Sequence, residues 1–575
     1  MRARSIVRRA VPDNQSLPDS IHPVLRRIYA ARNIAGMEEL DYSLEGLCSY
    51  HALGGIDAAV KLLADALEQE RRILIVADFD ADGATGCALA IRGLRQMGAR
   101  DVRYIVPSRF DYGYGLTPGI VEVAAADKPD LLITVDNGIS SIDGVELARS
   151  YGIDVLVTDH HLPGAALPRA NAIVNPNLPG DAFPSKSLAG VGVVFYLLAA
   201  LRTHLRDSGW FERHGLADPR LVDLLDLVAL GTVADVVPLD RNNRILVEQG
   251  LKRVRAGRCI PGIRALLLVA GRRYQQALAS DFGFAVGPRL NAAGRLTDMT
   301  LGIECLLCDD EEQAMEMAAS LDKLNKERRE IQQHMQDSAA ADLPELGGAD
   351  MPFGLCLFNA DWHQGVVGVL ASRLKDEWHR PVIAFARDRD GQLKGSGRSI
   401  AAIHLRDLLD SIATGSPGLI RKFGGHAMAA GLAIDERDFD AFRRCFETAC
   451  QARLSVDDLT GVIHSDGELQ ATDLNLTLAA SIQEGGPWGN GFPEPVFDGV
   501  FQLTERRIVG ERHLKMSLAL PGSPRRIDAI AFYTLDEDWP ADVNHVHLAY
   551  RLDINEYNGR RSEQLIAEFV EPIVL

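Results

Sequence analysis

Three aspartates at every second position, Asp78, Asp80 and Asp82, close the apolar stretch ILIVADFDADGATG at residues 73–86. Carboxylates that close together repel unless a cation sits among them, and their oxygens are what a hard divalent ion takes as ligands. Two further stretches end in metal-capable side chains: ITVDNGIS carries Asp136, and VLVTDHH carries Asp159, His160 and His161. A fourth, LVDLLDLVALGTVADVVPL, places Asp235 after an apolar helix that gives way at Gly231. Each has an ordinary explanation on its own: an acidic loop in water, a surface histidine pair, a helix N-cap. The string D-x-D-x-D-G also opens an EF-hand calcium loop. Its twelfth position, a glutamate in such loops, is Leu89 here, and a strand precedes it where a helix should.

A parallel sheet is the element that would bring these residues together. The run at 73–77 is apolar without alternation, as in a central strand covered on both faces. Further strands are expected at 102–107, 131–135 and 154–158, separated by helical segments at 86–97 and 144–151, and an amphipathic helix is expected at 51–69. That alternation is the βαβ pattern of a doubly wound α/β sheet, whose ligands sit beyond the carboxyl ends of the strands. In extended chain, the period-two spacing would turn Asp78, Asp80 and Asp82 to one side. Residues 1–45 read as an arm or short cap with a helix at 24–35.

A chain of 575 residues exceeds one hydrophobic core, so three or four domains are expected. No apolar run approaches the roughly 18 residues of a membrane span. The basic N-terminus lacks the apolar core of a secretory signal. The eight cysteines are scattered, and the one CxxC, Cys305 with Cys308, reads as core, which points to a reducing, cytoplasmic setting. A net charge of −18 does not exclude nucleic acid, because a polyanion needs only local positive charge.

DFDADG at 78–83, VDNG at 135–138, DHH at 159–161 and GTVADVVPL at 231–239 resemble the four ordered motifs of the DHH phosphoesterase superfamily. Within it, PSRFDYGYGL at 107–116 and GPRLNAAGRL at 287–296 are similar to strings of the RecJ family of single-strand-specific 5′→3′ exonucleases. WHQGVVGVLASRL at 362–374, GSGRS at 395–399 and GGHAMAAG at 424–431 resemble its associated second domain. The resemblance, over residues 45–575, implies an N-terminal arm at 1–45 and a parallel-sheet catalytic domain at 46–308. A connecting helix at 309–345, a second α/β substrate-binding domain at 346–455 and an OB-like β-barrel at 456–575 would follow.

The same resemblance implies two ions, Mn²⁺ or Mg²⁺, on Asp80, Asp82, Asp136, His160 and Asp235, with Asp136 or Asp82 as the bridge. Asp78 would bind a metal or stand behind one, Asp159 would hold an imidazole, and His161 would touch the scissile phosphate. Oxygen and imidazole donors without cysteine suit such ions. DNA contacts are implied for Arg109, Arg289, Asn291 and Arg295, and in the second lobe for His363, Arg373, Ser396, Arg398, Gly425 and His426. The implied activity is two-metal hydrolysis of single-stranded DNA to 5′-mononucleotides in repair and recombination, by a monomer. A single-strand-binding protein and a helicase are the implied partners. The alternatives are another DHH phosphoesterase, acting on short oligonucleotides, cyclic dinucleotides or pyrophosphate, and a non-catalytic scaffold.

The stripe Met317, Leu321, Leu324, Ile331 and Met335 predicts one apolar seam on a long connecting helix. Its cations Lys323, Lys326, Arg328 and Arg329 read as a solvated face or, by the resemblance, as facing DNA in a groove between two lobes. After residue 456, alternating segments predict a five-stranded barrel. Arg506, Arg507, Arg512, Lys515, Arg525 and Arg526 would supply its positive charge, while Phe532 and Tyr533 are expected in its core, with a stacking platform for bases as the alternative.

Overall fold

A computed structural model of the chain describes all residues except 1–3, 13–16, 109, 343–350, 390, 511, 521, 523, 538, 541, 558 and 575. The strand Ile73–Ala77 (β1) is buried at all five positions. Ile73, Ile75 and Ala77 enter one apolar cluster, and Leu74 and Val76 enter another, as a strand with two covered faces must. It pairs in parallel with Val102–Ile105 (β2) and Leu131–Val135 (β3), and Asp154–Thr158 (β4) and Ala172–Val174 (β5) extend the sheet in the order β2-β1-β3-β4-β5. Ala77, Val135, Thr158 and Val174 are in register. The next residues, Asp78, Asp136, Asp159 and Asn175, therefore form a row along one edge. The ladder runs one bond into that row: Asp78 N–H reaches the Val135 carbonyl (3.1 Å), Asp136 that of Thr158 (3.1 Å) and Asp159 that of Val174 (3.2 Å).

The acidic string does not continue as extended chain. Helix Ala81–Gln96 (α1) starts five residues earlier than expected, with Asp80 as its N-cap. Asp80 Oδ1 accepts from the N–H groups of Asp82 (2.9 Å) and Gly83 (3.0 Å). A capping carboxylate satisfies amides that the helix leaves unpaired, so the three aspartates become a strand end, a cap and a first turn. Helix Gly190–Asp207 (α2) meets the site with its N-terminus. Helix Leu225–Ala234 (α3) runs through Gly231, where a break was expected, and Asp235 is its C-cap rather than an N-cap. A carboxylate there opposes the helix dipole, so helix stability does not explain it.

The chain divides into two compact units, residues 8–325 with 465–575, and residues 1–7 with 326–464. Helix Gly287–Leu296 (α4) belongs to the first unit, and Glu311–Asp342 (α5) begins in it and ends in the second. On α5, Leu321 and Met335 are buried with Ala314, Ala318 and Ala339, while Met317, Leu324 and Ile331 are half-buried. Cys305 is buried and Cys308 half-buried.

The second unit holds Leu355–Phe358 (β6), Val382–Arg387 (β7), Gln392–Arg398 (β8), Lys422–Gly425 (β9) and Ala429–Asp435 (β10). They form a sheet of order β9-β10-β8-β7-β6, in which β6 and β7 are parallel. Its core contains Phe385, Phe442 and Phe446.

In the first unit, Phe497–Val509 (β11), His513–Ala519 (β12), Arg526–Ala531 (β13), His545–Tyr557 (β14) and Arg560–Ile573 (β15) close into a barrel. Phe532 and Tyr533 are not in its core. The strand stops at Ala531, Tyr533 takes a left-handed φ of 53°, and the two rings stand 49 % and 74 % exposed, edge-on to His513. The part of the N-terminal arm that belongs to this unit is bound into it by Arg32, paired with buried Asp466 at 2.7 Å, and by Tyr29 stacked on Trp488 and Phe492. Among the described residues, no helix is long and apolar enough to cross a membrane.

Candidate metal centre

Asp82 is fully buried in the first turn of α1, and its two oxygens accept from the N–H groups of Gly190 (2.6 Å) and Val191 (2.9 Å) at the start of α2. A helix N-terminus holds an anion through such amides. Asp136 takes a left-handed φ of 63°, a region costly for residues other than glycine but open to Asp. Gly190 allows the close approach: a Cβ there would lie 2.7 Å from Asp136 Cβ. Asp136 Oδ1 is buried 3.0 Å from His160 Nε2, and among the described residues it accepts no hydrogen bond. His160 Nε2 is also 3.6 Å from Asp235 Oδ2.

Asp159 organises the turn after β4. Its Oδ1 faces the N–H groups of His160 (2.7 Å) and His161 (3.0 Å) and the His161 ring Nδ1 (2.7 Å), while Oδ2 accepts from Ile139 N–H (2.9 Å). Asn175 and Asn177 donate side-chain N–H groups to the carbonyls of His161 (2.9 Å) and His160 (2.6 Å). Sequence reasoning passed over both asparagines; the signal was that Asn175 directly follows an apolar strand. It also passed over Tyr114, whose hydroxyl donates to the Asp136 carbonyl at 3.1 Å.

Burial, and then the neighbouring charges of Asp235 and Asp80, hold the Asp82 carboxyl well above the ordinary carboxylate range. Burial, followed by Asp82, Asp80, Asp235 and Asp78, does the same to Asp136. Burial and Asp80 push Asp235 up to about 7, against an opposing pull from His161. For Asp159 burial is outweighed by the His161 hydrogen bond and charge and by backbone N–H donors, so its carboxyl is lowered. His161 is correspondingly raised to about 9: burial opposes the charge, but the Asp159 hydrogen bond and charge prevail.

The donor set fits divalent ions. Three groups each bring ligand atoms within 4.8 Å of one another: Asp136 with His160 and His161, Asp82 with His160 and Asp235, and Asp78 with Asp80 and Asp136. Buried negative charge in such excess, with an open oxygen on Asp136, calls for cations.

The residues expected at DNA are placed as follows. Arg109 lies outside the described residues. Arg289 is 8 % exposed, its guanidinium on Asp322 (2.7 and 3.0 Å) and on the Ala285 carbonyl, so it braces α4 against α5. Asn291 Oδ1 accepts from Ala81 N–H at 2.8 Å and steadies the start of α1. Arg295 is half-buried in the last turn of α4.

In the second unit, Arg398 donates to Ser396 Oγ (3.1 Å) and the Gly397 carbonyl (2.8 Å). Ala430 is in register with both Gly397 and Gly425, which sets the Gly425–His426 turn beside them, and His426 is exposed. His363 Nδ1 accepts from Gly365 N–H (3.1 Å) just before the helix Val367–Trp378, which carries exposed Arg373. On α5, Arg328 is not simply solvated: burial, then Arg329 and Arg373, lower it to about 10. The positive charges of Arg329 and Arg373 act on Arg328, which favours an anion there.

The family models that match are the DHH family, N-terminal domain, at residues 72–232, the DHHA1 domain at 352–452 and the RecJ OB domain at 465–568. The chain is 56% identical to the single-stranded-DNA-specific exonuclease RecJ of Dickeya dadantii (strain 3937) over 570 residues, covering 99% of each chain. It is 52% identical to the RecJ exonuclease of Escherichia coli (strain K12), over 98% of this chain and 99% of that one. The crystal structure of RecJ in complex with Mn²⁺ from Thermus thermophilus superposes with a TM-score of 0.81 at 31% identity, over 99% of this chain and 80% of that one. A Mg²⁺ complex of the same protein gives 0.75 at 29% identity, over 99% and 78%. With the DHH row of acids and imidazoles, the second α/β unit and the closed barrel in one chain, and with identities of this order over its whole length, the chain belongs to the RecJ family.

Proposed function

We propose that the chain is a metal-dependent exodeoxyribonuclease that hydrolyses single-stranded DNA from the 5′ end and releases 5′-mononucleotides, in DNA repair and recombination in the cytoplasm. The observation that carries this reading is the convergence of Asp78, Asp80, Asp82, Asp136, Asp235 and His160 at one sheet edge, with the Asp82 and Asp136 carboxyls raised by burial and then by the neighbouring acids. These six residues would hold two ions, Mn²⁺ or Mg²⁺, the metals in the structures of the Thermus relative. Bound there, the ions would activate a water and offset charge on the phosphate oxygens.

The chain's own groups supply the rest. The amides of Gly190 and Val191 fix Asp82 from behind. His161, gripped by Asp159, would donate to a phosphate oxygen. Ser396, Arg398, His426 and the guanidinium cluster of Arg328, Arg329 and Arg373 would bind the DNA backbone, where Arg contacts are strong. Exposed Phe532 and Tyr533 would offer stacking faces to unpaired bases, and exposed Arg507 and Arg512 would add positive charge on the same barrel. Such an enzyme depends on a helicase to supply single strands and meets them covered by a single-strand-binding protein.

The test uses a 5′-labelled oligonucleotide, single-stranded and as duplex, with Mn²⁺ or a chelator. Labelled mononucleotide should appear from the single strand with Mn²⁺ only. Release from neither substrate would leave a non-catalytic scaffold, and release only of internal fragments would exclude the exonuclease.

A further inference from the structure

We infer that Tyr114 is a positioning residue of this site: its hydroxyl sets the Asp136 main chain and the His161 imidazole together. The inference rests on the functional reading above. Asp136 sits in a left-handed conformation, which persists only when its surroundings enforce it. Its main chain is held from two sides, by its N–H on the Thr158 carbonyl and by the Tyr114 hydroxyl on its own carbonyl (both 3.1 Å). With both peptide flanks held, the Cα–Cβ direction from which the Asp136 carboxylate projects is set as well. The same hydroxyl lies 3.3 Å from His161 Nδ1 and 3.4 Å from Nε2, and the two rings meet edge to face at 5.8 Å. His161 is thereby confined between Asp159 and Tyr114.

The third contact is with Phe79, which stands between Asp78 and Asp80 in the chain; its ring meets Tyr114 edge to face at 6.2 Å. One side chain thus touches the acidic string, the Asp136 turn and the DHH turn, three segments that share no helix or strand. A residue placed for packing alone would be buried, yet Tyr114 is 49 % exposed. What it contributes is mainly the direction of one hydroxyl. It also joins residues 110–116, part of the string at 107–116 that the sequence singled out, to the acidic centre.

Tyr114→Phe removes the hydroxyl and keeps the ring. The prediction is a kcat on single-stranded DNA lowered about tenfold, the scale of one well-placed hydrogen bond, with KM unchanged. The affinity for Mn²⁺ measured by calorimetry without DNA should weaken several-fold, and the thermal midpoint should hold within about 2 °C, as expected when one hydrogen bond is lost from a chain of this size. Tyr114→Ala, which also releases Phe79, should raise KM in addition. Unchanged kcat and Mn²⁺ affinity in Tyr114→Phe would overturn the inference, as would losses matched by a fall in the thermal midpoint of many degrees. A wild-type chain inactive on DNA would sink the functional reading, and the calorimetry would still decide the role of Tyr114.

Discussion

Carboxylates packed as tightly as Asp82, Asp136 and Asp235 are stable in a fold only when protonated or neutralised by a cation. Their folded pKa values lie above the unfolded value of about 3.9, with Asp235 at about 7. Between about pH 4 and 7 the folded chain therefore holds more protons than the unfolded one, and without metal its stability falls as pH rises through that window. A divalent ion binds the ionised site and competes with those protons. Saturating Mn²⁺ should raise the thermal midpoint more at about pH 7.5 than at about pH 5. Equal shifts at both values would mean that the ion binds elsewhere. At this scale the sequence disclosed residue types better than roles. Period-two spacing marked three aspartates, but only the helix start makes Asp80 a cap. Asn175, Asn177 and Tyr114 went unread because a lone polar residue has no periodicity to betray it. Arg289 and Asn291, in a string tied to DNA by resemblance, are engaged with Asp322 and Ala81.

The strands β1, β3 and β4 were legible to the residue because a doubly covered parallel strand must be continuously apolar, and its register then aligns Asp78, Asp136 and Asp159. Helix starts were not, since a cap is a side-chain geometry that hydropathy does not record. The meeting of α2 with the site is another feature that sequence periodicity misses. It depends on Gly190, where Gly190→Ala would drive a methyl to 2.7 Å from Asp136 Cβ and dislodge the amides that hold Asp82. Overpacking of this kind costs about 1–3 kcal/mol, so the variant should lose several degrees of thermal stability and at least tenfold in kcat. Wild-type turnover in it would show that α2 does not position the acids. In the barrel, the alternating run before Phe532 and Tyr533 reads straight through as strand, and the left-handed turn at Tyr533 is what puts both rings outside. Replacing both by Ala should weaken single-strand affinity about tenfold or more, given about 1–3 kcal/mol per stacked base. Unaltered affinity would return them to the status of incidental surface.

At the scale of the whole molecule, a net charge of −18 coexists with membership of a family whose relatives act on DNA. The two are compatible when catalysis belongs to the acidic edge and DNA binding to other groups: Arg398, the α5 arginines and the barrel aromatics. Binding through phosphate contacts should fall steeply with salt. That separation is the central claim, and Asp136→Ala tests it most directly, with Mn²⁺-dependent release of mononucleotides and single-strand affinity measured on the same preparation. Release should be abolished while affinity and the circular dichroism spectrum stay at wild-type values. Persistent Mn²⁺-dependent release, or affinity lost together with the folded spectrum, would contradict it.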